Sequence, residues 1–456
     1  MKFKGLLVLA NIFITPLVIA ENSCNFFANT LVSNESNVLS QGNPEDNGFD
    51  INKLALVDKQ INQDVKNGFP GAALLIIKDG YVIKQTVYGS SLKYDLKTGK
   101  PLTKPIPVQC NTLFDLASNT KMYATNYAVM HLVAESKLDV NKPISFYLPA
   151  YKGCDKNGQC RETRTVRDLL THSAGYTPSP QFYNPQTIAQ YGDNLYSQNR
   201  LTTESIILNK LPFERARGGK PVYSDVDFML LGMIIEAISK QSLDQYVMQN
   251  IYQPLGLKSI TFNPLLNGYS NKSCAATEVD GNTRGGSIKF PNIRTTPIEC
   301  QVHDENSYYS MGGVSGHAGL FANLADMAVL MQLALNNGAY NKVTLWTPAI
   351  EAQFIAPIAS DDTYGLGWRR AGAKSNYAPF GHYASNQAFG HTGWTGTLTL
   401  IDPKYDLAIV LLTNKKHSQY KDGKFAGDAF ATGSYKQIVD LIYQSLDNNT
   451  KSININ

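Results

Sequence analysis

Three short groups of residues in this chain could together carry acyl transfer to a serine. The first is Ser118-Asn119-Thr120-Lys121, reached through the apolar approach Phe114-Asp115-Leu116-Ala117. Ser118 and Lys121 are three positions apart, so on a helix they share a face and their side chains can meet. A serine hydroxyl is a weak nucleophile until a base takes its proton, and a neutral lysine can be that base. The positive end of a helix disfavours an ammonium, which favours the neutral form of Lys121. The second group is Tyr223-Ser224-Asp225, which follows Gly218-Gly219-Lys220-Pro221 and opens a long apolar stretch. A phenol placed there can hand a proton to a departing group. The third is His391-Thr392-Gly393-Trp394, ahead of the alternating segment 395–401, a setting for oxyanion donors and for substrate lying along a strand. Gly393 would let substrate come close to that strand's backbone.

Each group has competitors. Ser-x-x-Lys also occurs at Ser90/Lys93 and Ser418/Lys421, both in polar surroundings with no helix to fix the pair. The tyrosine group competes with Tyr191-Gly192-Asp193, Tyr269-Ser270-Asn271 and Tyr420-Lys421-Asp422, and the third with Lys97-Thr98-Gly99. A catalytic group needs rigid support, and only Ser118, Tyr223 and His391 border long apolar elements. No Gly-x-Ser-x-Gly elbow is completed around Ser173 or Ser315, which removes the usual mark of an α/β-hydrolase. His303-Asp304 has no further ligands spaced with it and reads as structural. His317, among Gly312, Gly313, Gly316 and Gly319, either lines the cleft or stiffens a turn. Trp368 and Trp394 read as packing or cleft-wall residues.

The elements that must hold these groups follow from periodicity. Met122, Ala124, Tyr127, Ala128, Met130 and Val133 continue a helix from Ser118. A helix over 51–65 stops at Gly68-Phe69-Pro70-Gly71, and residues 72–78 and 81–88 form a hairpin about Asp79-Gly80. A polar excursion covers 90–107. Helices are expected at 165–171, 226–240, 243–251, 320–336 and 435–446, with a loop-rich stretch over 258–310. Strand patterns return at 364–369, 395–401 and 407–413. Strands near both ends with helices between imply one α/β layered domain over 50–447, a single sheet with a mostly helical insertion lobe beside it.

Composition fits a globular chain: 456 residues, 43% hydrophobic and 17% charged. The net charge of +4, two units of it from Lys2 and Lys4, gives no case for a nucleic-acid partner. Lys2, Lys4 and the apolar run 6–20 ending Val18-Ile19-Ala20 read as a secretory signal over 1–20, cleaved after Ala20. An uncleaved inner-membrane anchor is the alternative. Residues 21–49, rich in Asn and Ser, are expected to be a poorly ordered extension. Export gives six cysteines, Cys24, Cys110, Cys154, Cys160, Cys274 and Cys300, the chance of three disulfides. The short Cys154/Cys160 loop is the favoured pair; the rest are open. No Cys-x-x-Cys is present, and no metal or cofactor is expected.

Ser-x-x-Lys, Tyr-x-(Asn/Asp) and (Lys/His)-Thr-Gly in this order resemble the penicillin-recognising serine hydrolases, in the branch of class C β-lactamases, DD-peptidases and carboxylesterases. Residues 165–175 and Gly365-Leu366-Gly367-Trp368 support the likeness, which spans about 49–446. It implies a β-lactamase/transpeptidase-like fold with an antiparallel sheet. It implies Ser118 as acylated nucleophile, Lys121 as its base, Tyr223 as proton relay and His391-Thr392-Gly393 as substrate-binding strand. The oxyanion donors would be the N–H groups of Ser118 and Trp394. Asp225, where asparagine is commoner, would raise the lysine's pKa, and His391 in place of lysine removes a fixed positive charge. Both departures count against efficient β-lactam hydrolysis. The expected activity is D-alanyl-D-alanine carboxypeptidase on peptidoglycan peptides in the periplasm. An esterase or weak β-lactamase is the runner-up, and a non-catalytic penicillin-binding scaffold the alternative of another class.

Overall fold

A strand that buries both faces must be apolar at every position, and Gly71–Lys78 is apolar as far as Ile77. Its Leu74 and Ile76 enter one core, while Ala73, Leu75 and Ile77 enter the other. The computed structural model describes residues 22–27, 37–187, 195–374 and 376–447. The signal segment and the Tyr191 competitor therefore lie outside the described residues.

The main sheet has nine strands: β1 (Asn22–Ser23), β2 (Ser40–Gln41), β3 (Gly71–Lys78), β4 (Tyr81–Tyr94), β5 (Pro101–Pro107), β6 (Arg369–Arg370), β7 (Phe389–Gly393), β8 (Thr397–Asp402) and β9 (Leu407–Thr413). Their order is β1–β4–β3–β9–β8–β7–β6, with β2 and β5 also paired to β4. All pairings are antiparallel except β2 with β4. On one face lie α1 (Ile51–Lys66) and the C-terminal helix Lys436–Gln444, burying Leu54, Val57, Ile61, Ile438 and Ile442. Asp50 starts α1 by accepting from Asn52 N at 2.9 Å and Lys53 N at 3.1 Å. On the other face is the helical lobe, including α2 (Tyr127–Ala134), α3 (Asp225–Ser239) and α4 (Leu324–Leu335). The layered fold and its sheet built from both chain ends are as expected.

Several local expectations were wrong. The extension is ordered where it is described: β1 and β2 add to β4, and Cys24 is disulfide-bonded to Cys110. Two-residue strands carry no periodicity to detect. The polar stretch 90–107 is a hairpin in which β4 runs to Tyr94 and returns as β5, whose mostly exposed side chains leave only backbone pairing to hold it. Residues 364–369 form a tight turn instead of a strand, because Gly367 has φ +82° and a Cβ there would lie 2.8 Å from the Asn126 side chain. The helix expected over 320–336 splits into a strand, Leu320–Ala322, and α4, capped by Asn323 accepting from Asp326 N at 3.1 Å.

The favoured Cys154–Cys160 pair is present, together with Cys24–Cys110 and Cys274–Cys300. They span 86 residues for Cys24–Cys110 and 6 for Cys154–Cys160. Loop-closure entropy then predicts a loss of about 4–5 kcal/mol when Cys24 and Cys110 are both changed to serine, and about 2 kcal/mol for Cys154 and Cys160. Urea denaturation would measure both, and equal losses would refute the loop-length ordering. Among the described residues, no helix is long and apolar enough to cross a membrane.

Candidate active site

Ser118 sits in a single 3-10 turn, Ala117–Asn119, rather than on the helix itself. Ala117 holds φ +46°, a costly conformation for a residue with a Cβ. Its N–H is fixed by Asp115 Oδ1 at 2.8 Å. A row of threonines from β8 and its approach then clamps the turn. Thr395 Oγ1 donates to Asp115 O at 2.7 Å, and Thr397 Oγ1 to Leu116 O at 2.9 Å. Asn119 bridges Thr397 and Thr399, at 2.9 Å to each. Gly393 belongs to the same clamp: a Cβ there would lie 2.4 Å from Leu116 O and 2.3 Å from Thr397 Oγ1. The close approach that needs this glycine is therefore the turn that carries Ser118, not the substrate as expected from sequence.

Lys121 opens a wide turn, Lys121–Asn126, that continues into α2, so it meets Ser118 across a junction between two helical geometries. Such wide turns recur at functional sites. Lys121 is fully buried. Its Nζ donates to Ser118 Oγ at 3.0 Å, Asp225 Oδ1 at 2.8 Å and His317 O at 3.0 Å. Three donors meet three acceptors, as an ammonium requires. Burial alone would neutralise this lysine, but the Asp225 carboxylate outweighs it and holds the pKa well above the usual lysine value. The neutral resting lysine expected from the helix dipole is overturned by that ion pair.

Tyr223 Oη lies 2.8 Å from Ser118 Oγ. Burial pushes its pKa up to about 12, so it stays a phenol at neutral pH. The ring is held just ahead of α3, where Ser224 Oγ donates to Thr177 O at 2.6 Å and Asp225 N donates to Pro178 O at 2.8 Å. Behind it stands His172, its ring centroid 4.7 Å from that of Tyr223 and its Nδ1 2.8 Å from Asp227 Oδ2. Burial lowers the pKa of the imidazole and raises that of the carboxyl, so both are pushed toward their uncharged forms. Sequence reasoning weighed His172 only as part of a serine elbow and missed this supporting place.

His391, Thr392 and Gly393 line β7 beside Ser118, in register with Thr399, Leu398 and Thr397. Burial holds His391 neutral, at a pKa of about 3. Thr392 Oγ1 pairs with Tyr377 Oη at 2.8 Å. Trp394 is 52% exposed, with Lys416 Nζ 4.1 Å from its ring centre.

Two clefts meet at Ser118, Tyr223 and Trp394. The larger, about 570 Å³, runs along β7 and carries Arg369, Lys415 and Lys416 against the single carboxylate Asp428. Both lysines bond that carboxylate, at 3.3 and 2.8 Å. Among the described residues, Arg369 has no acidic partner; it stacks on Tyr364 and Tyr377 at 3.8 and 4.2 Å. The smaller cleft, about 370 Å³, has the opposite balance: Asp225, Asp304 and Glu305 against Arg284. The cations of the larger cleft escaped sequence reasoning; their one signal is that Arg369-Arg370 and Lys415-Lys416 are paired bases bordering sheet strands.

The competing motifs are engaged elsewhere. Lys93 Nζ donates to Gly68 O at 2.9 Å, and Ser418 Oγ donates to Lys415 O at 2.8 Å. His303 pairs with Glu278, while Asp304 bonds His317 Nε2 at 2.8 Å. Asp225, Asp304 and His317 bring ligand atoms within 4.8 Å of one another. Among the described residues this is the set that could hold a cation, and Lys121 Nζ already serves Asp225 as counter-ion.

The family model described as Beta-lactamase matches residues 57–432. A Bacillus subtilis protein named "N-acetylmuramyl-L-alanine amidase" is 47% identical over 413 residues, covering 89% of this chain and 92% of its own. A Salmonella typhimurium protein named "Putative D-alanyl-D-alanine carboxypeptidase" is 47% identical over 416 residues, covering 90% and 94%. Two solved structures share the fold: a penicillin-binding protein homologue from Caulobacter crescentus, with TM-score 0.60, 18% identity and coverage of 86% and 98%, and the hydrolase EstCE1, with TM-score 0.61, 21% identity and coverage of 86% and 99%.

Proposed function

As a member of the beta-lactamase family, this chain has the fold and type of a serine hydrolase, and we propose that it acylates Ser118 to release the terminal D-alanine of D-alanyl-D-alanine peptides from peptidoglycan. The observation that carries this reading is the surplus of positive charge in the β7 cleft. A D-alanyl-D-alanine end bears a carboxylate, and Arg369 is a cation lining the same cleft as Ser118, without an acidic partner among the described residues. Neutral His391 cannot supply that charge. In this reading Ser118 attacks the penultimate carbonyl, the N–H groups of Ser118 and Trp394 receive the oxyanion, and Tyr223 protonates the departing D-alanine. Water then frees the acyl-enzyme. The same reading places the mature chain, after loss of 1–20, in the periplasm, and the three disulfides support an oxidising compartment.

A second reading, cleavage between the sugar and L-alanine of the same muramyl peptides, is favoured by the half-exposed Trp394 face at the mouth of the smaller cleft and by the identity to the Bacillus subtilis relative. Mass spectrometry on a muramyl pentapeptide separates the two. Free D-alanine supports the carboxypeptidase; an intact pentapeptide with a free L-alanine amine supports the amidase. In the carboxypeptidase case Arg369→Ala should cost about 10–100-fold in kcat/KM, mostly through KM, because a charged hydrogen bond contributes about 1.5–3 kcal/mol. A neutral ester should be turned over equally by both proteins. Unchanged peptide hydrolysis in Arg369→Ala would remove the carboxylate role.

A further inference from the structure

We propose that Asp225 is the terminal acceptor of the Ser118 proton, with Lys121 as the relay between them. The proposal rests on serine acylation as read above and goes beyond the substrate-binding role that its place in the motif implies. Its geometry is a continuous path: Ser118 Oγ to Lys121 Nζ at 3.0 Å, then Lys121 Nζ to Asp225 Oδ1 at 2.8 Å. Every Lys121 proton is already donated, so the lysine has no lone pair with which to accept from Ser118. A base must be made available, and the adjacent carboxylate is the group that can take a lysine proton without its first being lost to water.

The step balances. Ser118 Oγ bonds to the substrate carbonyl carbon, and the π electrons move to oxygen. The Oγ proton passes to Lys121 Nζ as another Nζ proton passes to Asp225 Oδ1, so Lys121 remains a cation throughout. When the C–N bond breaks, its electron pair stays on nitrogen, which takes the Tyr223 Oη proton. Lys121 then refills Tyr223, and Asp225 refills Lys121. No proton has left the site, and the resting charges are restored.

The charged and titratable groups facing the pair come from several elements. Tyr223 lies just ahead of α3, Asp227 on α3 is paired with His172, and His391, held neutral, faces it from β7. Asp304 and His317 approach from the loop preceding Leu320, and Arg284 and Glu305 lie across the smaller cleft. Among the described residues, Lys121 Nζ makes its polar contacts with Ser118, Tyr223, Asp225 and the His317 carbonyl, so the path has one carboxylate end.

The test is the pH dependence of acylation by a chromogenic ester or β-lactam. The wild-type pair already holds the one proton it needs, so its rate should be level across the neutral range. In Asp225→Asn the lysine must first lose a proton to water. Its rate should fall at acidic pH by about tenfold per pH unit, an acid limb absent from the wild type. Asp225→Glu should restore the level profile. Identical profile shapes in wild type and Asp225→Asn would overturn the relay. Should Asp225→Asn fail to fold, a proton inventory on the wild type in mixed H₂O and D₂O decides: a curved plot reports two protons in flight, a linear one overturns the proposal. Failure of the serine reading is distinguishable, since Ser118→Ala would then still be labelled.

Discussion

Ser118→Ala should lose covalent labelling by a fluorescent penicillin, and its turnover of peptide or ester should fall by about 10⁴–10⁶-fold, the scale on which removal of a covalent nucleophile acts. The structure makes this variant a clean test. Ser118 is only half-buried, and its neighbours are tied to β8 by Asp115, Leu116 and Asn119 rather than by its hydroxyl. The fold should therefore survive within about 1 kcal/mol, readable from the melting temperature. Equal labelling of wild type and variant would sink the nucleophile assignment. A wild type that labels but never deacylates would instead make the chain a penicillin-binding scaffold. The Ser118–Lys121–Tyr223 contacts at 3.0 and 2.8 Å serve acylation in either case, so release of product from the labelled protein is the readout that separates enzyme from scaffold.

How much of this was legible from sequence depends on what each residue's partner is. The convergence of Ser118, Tyr223 and His391 on one cleft was foreseeable because each borders a long apolar element, and periodicity finds such elements. The strengthening of the Lys121 charge by Asp225 was legible through the family likeness, since the two are 104 positions apart. The neutral lysine expected from the helix dipole failed because a full charge at 2.8 Å outweighs a partial one. Arg369 was missed because its role depends on β6 lying beside β7, and the turn at Gly367 that delivers it reads as a strand in sequence. Gly393 was read as making room for substrate, because only the packed structure shows Leu116 O occupying that space. The strands near Asn22 and Ser40 were invisible, both being too short for any pattern, and the first lies next to a disulfide whose pairing sequence leaves open.

Lys121→Ala should slow acylation by about a thousandfold or more, because Ser118 loses the group through which its proton leaves. The same change should destabilise the fold, which confuses the readout unless the two effects are separated. Lys121 is fully buried and Asp225 only 13% exposed, so removing the ammonium leaves a carboxylate facing Tyr223 and the His317 carbonyl without a counter-charge. Breaking such a pair from one side costs about 3–5 kcal/mol. The double variant Lys121→Met/Asp225→Asn removes the charge together with its partner, so most of that stability should return. Its acylation should not return, since neither base nor acceptor remains. Recovery of stability without recovery of rate assigns the pair a chemical role beyond its structural one. Recovery of both would mean that the lysine only held the turn in place and that Tyr223, 2.8 Å from Ser118, takes the proton directly. That outcome would also require Tyr223→Phe to be the variant in which acylation is lost, a reversal measurable with the same penicillin probe.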